Sequence, residues 1–301
     1  MVETLKIEDL LPSYRTHQKA KRCADRTVEL SKDYVARLAV WLVGEGRSTK
    51  VGDIDNRVLE QYLVHLADSL SDTTVAMHYR TVRAFFGWLH REDEIDVNPF
   101  DKMVQPKVSD KPPEVLTYAQ VVALLNATKD SRAFESRRDC AIFMTFIDTG
   151  VRLGELTSMR VDWFDDDNRL ATVGPKGGGT RQVQFGLKAW EAIDRYRRVR
   201  LAHPHADRPD FWLAPKGALS KSGVAQMIKR RCIDADIEHI HPHQFRHTFV
   251  HLLLRQGKQH ALPQLMGWTS AQMVEVYGRS AAYQRAMEAK SEYSPGDHLW
   301  D

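Results

Sequence analysis

Three early segments place apolar residues at i, i+3, i+4 and i+7: Val35, Leu38, Ala39 and Leu42; Leu59, Tyr62, Leu63 and Leu66; Val82, Phe85, Phe86 and Leu89. That period draws one apolar stripe along a helix, whereas a strand would alternate. Asp55 and the Ser71-Asp72 pair stand at N-cap positions, and Gly44 and Gly46 follow the first of these helices. With a further helix before Asp25, the spacing predicts a four-helix unit. It stops near Asn98-Pro99, because a residue before proline is biased out of helical geometry. Lys32, Arg37, Arg80, Arg83 and Arg91 lie off the stripes.

Residues 104–114 hold Pro106, Pro112 and Pro113 among Lys and Asp, with little to bury, and read as an extended linker. They divide a helical domain, 1–103, from a second domain, 115–301. The second is mixed. Thr117 is placed to cap a helix carrying Val121, Val122, Leu124 and Leu125, and an apolar helix over 139–147 is stopped at Gly150. A short helix over 153–159 follows. Segments 169–173 and 181–185 bracket the Gly-rich run Gly174-Pro175-Lys176-Gly177-Gly178-Gly179-Thr180, a hairpin signal. Asp165-Asp166-Asp167, between short strands, reads as a turn. Helices follow over 188–202 and around Val224, Met227, Ile228 and Cys232. One more opens at Pro242 and is expected to bury Phe245, Phe249, Leu252 and Leu253. The fold class is therefore mainly α with a small β-hairpin or sheet (α+β) in the second domain.

At 301 residues the chain has the length of two domains. Three separated cysteines argue against a disulfide framework or a Cys-based zinc site, and no apolar run approaches the roughly 18 residues that span a bilayer. The first residues have neither a basic stretch nor an apolar one after it, so a bacterial cytoplasmic location is expected. A net charge of +3 is too small to mark a nucleic-acid binder by itself.

His241-Pro242-His243-Gln244-Phe245-Arg246 places an imidazole and a guanidinium three apart in the first turn of a helix, so that both are expected to face one way. Such a helix start suits a phosphate. Thr149-Gly150-Val151-Arg152-Leu153-Gly154-Glu155 sets an arginine just after a glycine turn. Lys176 lies within the Gly-rich hairpin. Leu265-Met266-Gly267-Trp268 is followed nine residues later by Tyr277. Each piece alone is more often a surface pair, a solvated turn lysine or a core aromatic than a catalytic group.

In this order the pieces resemble the tyrosine recombinase (phage integrase) family, in a short form without an arm-binding domain. Residues 74–100 look like the last helix of the family's core DNA-binding domain. Residues 163–185 look like its hairpin, and 241–277 like its second-half signature. The resemblance implies that Arg152, Lys176, His243, Arg246, Trp268 and Tyr277 form the catalytic set, with Tyr277 as nucleophile. It also implies site-specific cleavage and rejoining of double-stranded DNA at core sites through a 3′-phosphotyrosine and a Holliday junction, by a homotetramer on two sites. Ala281–Lys290 suits a docking segment, in cis or in trans. Arg80 and Arg83 are candidate DNA contacts. Tyr283 and Tyr293 miss the nine-residue spacing. The chain departs from most members in carrying Trp268 rather than His. An indole donates a hydrogen bond but shuttles no proton. Housekeeping resolvases of the family usually carry His at this place, so the resemblance implies a phage or other mobile element.

Two guanidiniums can grip the phosphate oxygens, His243 can serve as base and Lys176 as acid, and the scheme needs no metal or other cofactor. Rival readings are a type IB-like topoisomerase, a DNA-binding regulator without chemistry, and a metallohydrolase using His239, His241, His243, His247 and His251. The last lacks the His-Glu-x-x-His arrangement, since Gln244 follows His243.

Overall fold

The computed structural model describes residues 5–108, 113–129, 133–174 and 179–268. The chain divides into two compact units, Met1–Lys111 and Pro112–Asp301.

The first unit is built from α1 (Ile7–Ala20), α2 (Asp25–Gly44), α3 (Asn56–Ala67) and α4 (Asp72–Arg91). Asp55 caps α3 by accepting from the Val58 N–H (2.9 Å), and Ser71 caps α4 through the Thr74 N–H (3.4 Å). The apolar stripes meet in a core of Val35, Leu38, Leu42, Leu59, Tyr62, Val82, Phe85, Phe86 and Leu89. Tyr14 of α1 closes it with its ring edge-on to Phe85 (centroids 5.1 Å apart). Arg80 and Arg83 are exposed on α4.

A titratable ring is sealed inside this apolar packing. His78 is fully buried, stacks on Tyr34 at 4.1 Å and shares a hydrogen bond with the Tyr62 hydroxyl (3.1 Å). Its other ring nitrogen is buried without a partner among the described residues. Burial, aided by the nearby Arg37 charge, pushes its pKa down to about 4.

The second unit contains α5 (Tyr118–Asn126), α6 (Phe134–Thr149), α7 (Leu153–Thr157), β1 (Phe164–Asp165), β2 (Leu170–Val173), β3 (Arg181–Gln184), α8 (Leu187–Arg200), β4 (Leu213–Ala214), β5 (Gly217–Ala218), α9 (Lys221–Asp234), α10 (Pro242–Arg255) and α11 (Leu262–Met266). Helix α6 packs against α5, α8 and α10, and Phe143 and Phe146 both stack on Phe245. The antiparallel sheet runs β1-β2-β3, with Phe164 opposite Ala171 and Val173 opposite Arg181. The fold is thus mainly helical with a small antiparallel sheet.

Some sequence expectations shift. Helix α10 buries Phe245, Arg246, Thr248, Val250 and Leu254, while Phe249 and Leu253 are only half-buried and Leu252 is exposed. The inward face is rotated because Arg246 itself turns inward and Thr248 donates to the Gln244 carbonyl (2.7 Å) while accepting from the Leu116 N–H (2.8 Å). Two-residue β1, β4 and β5 and five-residue α11 are too short to show a period.

The unfolded chain binds a proton at His78 below about pH 6.5, whereas the folded one resists until about pH 4. Stability from this site is therefore complete above pH 6.5 and falls as the pH drops toward 4, by up to about 3 kcal/mol. Urea unfolding of the full chain at pH 7 and pH 4.5 should show that slope, and His78→Gln should reduce it. An unchanged slope in the variant would assign it to other groups.

Candidate functional site

Helix α6 ends at Gly150, which adopts φ +60° and whose N–H reaches the Phe146 carbonyl at 3.0 Å. A Cβ at Gly150 would stand 2.6 Å from the Phe249 ring and 2.9 Å from the Met266 methyl, so glycine is required for conformation and for space alike. The chain turns there and delivers Arg152 to the N-cap of α7. The Arg152 N–H donates to Glu155 Oε2 (2.7 Å) and its guanidinium to Glu155 Oε1 (2.9 Å).

Glu155 holds a second cation. Arg181, the first residue of β3, donates from Nη2 to Glu155 Oε2 (2.9 Å) and from Nη1 to the Leu265 carbonyl (2.6 Å). Burial by itself would raise the Glu155 carboxyl, but the Arg152 N–H and the two guanidiniums outweigh it and hold the pKa below the ordinary value. The group stays ionised, and one negative charge faces two positive ones.

Arg152 and His243 line one open cleft of about 770 Å³, together with Leu153, Gly154, Glu155, Thr157, Ser158 and Lys221. His243, the second residue of α10, is exposed, and its ring stacks on His247 at 6.2 Å. Burial, with His243 and Arg246 adding like charge, lowers the pKa of His247. Arg246 does not share the exposure of His243. It is only 4% exposed, donating from Nη1 to the Gly150 carbonyl (2.8 Å) and from Nη2 to the Met266 carbonyl (3.0 Å). Its guanidinium carbon lies 6.0 Å from the centre of the Trp268 ring. The Trp268 N–H closes the turn after α11 by donating to the Pro263 carbonyl (2.9 Å). Lys176 and Tyr277 lie outside the described residues, as do Tyr283, Tyr293 and Ala281–Lys290. Gly174, the last described residue before Lys176, is held at the cleft wall. Ser158 Oγ donates to the Gly174 carbonyl at 2.9 Å, and a Cβ at Gly174 would stand 2.8 Å from the Gly179 carbonyl oxygen.

Sequence reasoning missed Arg181 and Lys221. A strand over 181–185 says nothing of the Arg181 side chain reaching two distant acceptors. Lys221 opens α9 after the Ser220 cap, and its ammonium lies 3.3 Å from where a Cβ on Gly154 would be. No ion pair involves Lys221 among the described residues. Among those residues no three His, Cys, Asp or Glu side chains gather as metal ligands, and no helix is long and apolar enough to cross a membrane.

The model of the phage integrase family matches residues 114–284, more than half of the chain. The chain belongs to this family. It is an enzyme of site-specific DNA recombination, with a tyrosine-recombinase catalytic domain. Tyrosine recombinase XerC of Alcanivorax borkumensis is 33% identical over 211 residues, 69% of either chain. The XerC of Pelobacter propionicus is 26% identical over 287 residues, 94% of either chain. Among solved structures, the Tn1549 transposon integrase in complex with circular intermediate DNA shares the fold at a TM-score of 0.74. That match has 19% identity and covers 91% of this chain and 95% of the other. A lambda integrase dimer bound to a COC′ core site gives a TM-score of 0.71 at 16% identity, covering 91% and 95%.

Gly150→Ala should cost about 2–5 kcal/mol, the sum of a left-handed alanine and an overpacked contact. The check is the urea midpoint of the full-length recombinase. A midpoint equal to the parent's would mean that the α6 end rearranges freely.

Proposed function

We propose that the recombinase cuts and rejoins duplex DNA through a 3′-phosphotyrosine on Tyr277, with Arg152, Lys176, His243, Arg246 and Trp268 serving the same reaction. The observation that carries this reading is the shared cleft. Arg152 and His243, remote in sequence, line one cavity with Lys221, and Gly174, two residues before Lys176, is bonded to Ser158 in its wall.

The chemistry follows from the residue types. A free phenol, with a pKa near 10, is a weak nucleophile at neutral pH. His243 takes the Tyr277 proton as the tyrosyl oxygen bonds to phosphorus. The bond from phosphorus to the 5′-oxygen breaks as Lys176 gives that oxygen a proton. Charge growing on the non-bridging oxygens is met by the guanidiniums of Arg152 and Arg246. The Trp268 indole N–H adds a hydrogen bond without proton transfer. The phosphotyrosine keeps the energy of the broken ester, so the 5′-hydroxyl of another strand reverses the step without ATP. Two rounds of exchange pass through a Holliday junction.

This reading extends to a homotetramer acting on two core sites in the bacterial cytoplasm. The helical unit, 1–103, would serve as the core DNA-binding domain, with Arg80 and Arg83 on the DNA. Residues 104–114 would form the linker and 115–301 the catalytic domain, its last segment docking on a neighbour. Trp268 in place of histidine favours the integration and excision of a phage or other mobile element.

Full-length protein incubated with fragmented host DNA should become covalently attached at discrete ends, and sequencing those ends gives the core site. Tyr277→Phe should bind the same duplex and form no adduct on a nicked suicide substrate. An adduct at parental yield would remove Tyr277 from the role. Cleavage spread over unrelated sequences, with plasmid relaxation, would favour a topoisomerase.

Lys221 is the cleft cation without an acidic partner among the described residues, and we assign it a contact with the DNA backbone. On a random-sequence duplex, Lys221→Ala should weaken binding and flatten the slope of log K against log [salt] by about 0.9, the value for one phosphate contact. A slope equal to the parent's would place Lys221 away from the DNA.

A further inference from the structure

We propose that Arg181 is a positioning residue that ties the base of the hairpin bearing Lys176 to Arg152 and to the end of α11, so that its loss impairs protonation of the leaving group. The proposal rests on the reading of Lys176 as the acid.

Both feet of the loop are fixed to α7. The first foot, Gly174, is held by Ser158 just past the C-terminus of that helix (2.9 Å). The second foot is Arg181, tied to Glu155 in the first turn (2.9 Å). Helix α7 in turn starts at Arg152, whose guanidinium shares the Glu155 carboxylate. The loop's anchorage and the placement of Arg152 therefore depend on the same five-residue helix.

Arg181 also reaches a third element. Its Nη1 donates to the Leu265 carbonyl at the end of α11 (2.6 Å), and a Cβ on Gly267 would stand 3.2 Å from its Cδ. Arg246 donates to the neighbouring Met266 carbonyl (3.0 Å). These carbonyls belong to the last turn of α11, where helical partners run out and cations are favoured. Gly267 and Trp268 follow.

The side-chain type suits this role and no simpler one. Two acceptors on different elements require a planar fork, and a lysine would serve them only as a point charge. Arg181 is 14% exposed, yet its Nε–H is buried without a partner among the described residues. A residue retained only for stability would gain from having that donor satisfied. The geometry instead favours holding Glu155 and Leu265 together.

The test uses the full-length protein and a nicked duplex carrying the core site mapped by covalent capture, with either oxygen or sulfur bridging phosphorus to the 5′-carbon. A thiolate leaves without a proton, since its conjugate acid is far stronger than an alcohol. Arg181→Gln should slow adduct formation by about 100-fold on the oxygen duplex, the effect of an acid misplaced by about 1 Å. Its Kd for that duplex should stay within about threefold of the parent's, a change well below 1.4 kcal/mol. Sulfur should restore its rate to within about tenfold of the parent's, as it should for Lys176→Ala, whereas Arg152→Ala should gain nothing. Arg181→Lys, which keeps the charge but loses the fork, should give a smaller defect with the same rescue, and it carries the test if Arg181→Gln fails to fold.

Equal losses on the oxygen and sulfur duplexes, or a parental rate for both Arg181 variants, would overturn the proposal. A Lys176→Ala variant that sulfur does not rescue would remove the acid and the positioning role together. Absence of any adduct from the parent protein would instead sink the proposed phosphotyrosine chemistry, whatever the Arg181 variants did.

Discussion

The Glu155 carboxylate accepts from the Arg152 N–H, the Arg152 guanidinium and the Arg181 guanidinium, all within 2.7–2.9 Å. Each bond is charge-assisted, and the group is mostly withdrawn from water, so the cluster is stronger than an exposed ion pair. Through it the start of α7, the second strand of the hairpin and the end of α11 share one reference point. None of these pieces is long enough to fix its own position. A five-residue helix and four-residue strands lie far below the length at which such elements persist alone.

Buried guanidiniums recur through the second unit in a similar role. Arg246 serves the carbonyls of Gly150 and Met266. Arg200 serves those of Ala206, Arg208, Asp210 and Phe211, and Arg138 that of Leu213 while pairing with Asp139. Loops that pass through a domain's interior leave carbonyls without ladder partners, and each one left bare costs about 1–3 kcal/mol. An arginine satisfies several at once because its five N–H groups diverge in one plane. Arg246 therefore has a structural duty, which explains why it is turned inward while His243, three residues earlier, faces the cleft.

The helices of the first unit were legible because their stripes are long and their caps are the residue types that accept N–H bonds, Asp55 and Ser71 among them. The hairpin was legible from its glycines, and the turn before Arg152 from Gly150. What was not legible is whatever depends on contacts between distant segments. His78 reads as one more residue on a helix, and only packing against Tyr34 and Tyr62 makes it a buried titrating group. Periodicity placed His243 and Arg246 on one face, but it could not anticipate two carbonyls drawing Arg246 inward. Lys221 shares no sequence neighbourhood with Arg152. The two come together because Gly154 lacks a side chain and leaves room for the lysine head group.

The small net charge of the chain and the character of the cleft are consistent with one another. Three excess positive charges spread over 301 residues produce little field at distance. Within the cleft, Arg152 and Lys221 stand against the carboxylate of Glu155, which Arg181 also holds from outside the lining. Ionic strength screens exposed charges beyond about 10 Å, so a phosphate at this opening responds to the local set and hardly to the rest of the surface. Glu155 moderates that set without cancelling it. It fixes two guanidiniums in place, which limits the reorganisation needed when charge develops on a bound phosphate, and preorganised donors of this kind do most for a transition state. For the proposed reaction, such an arrangement favours geometric control of the ester over sheer electrostatic attraction of the polymer.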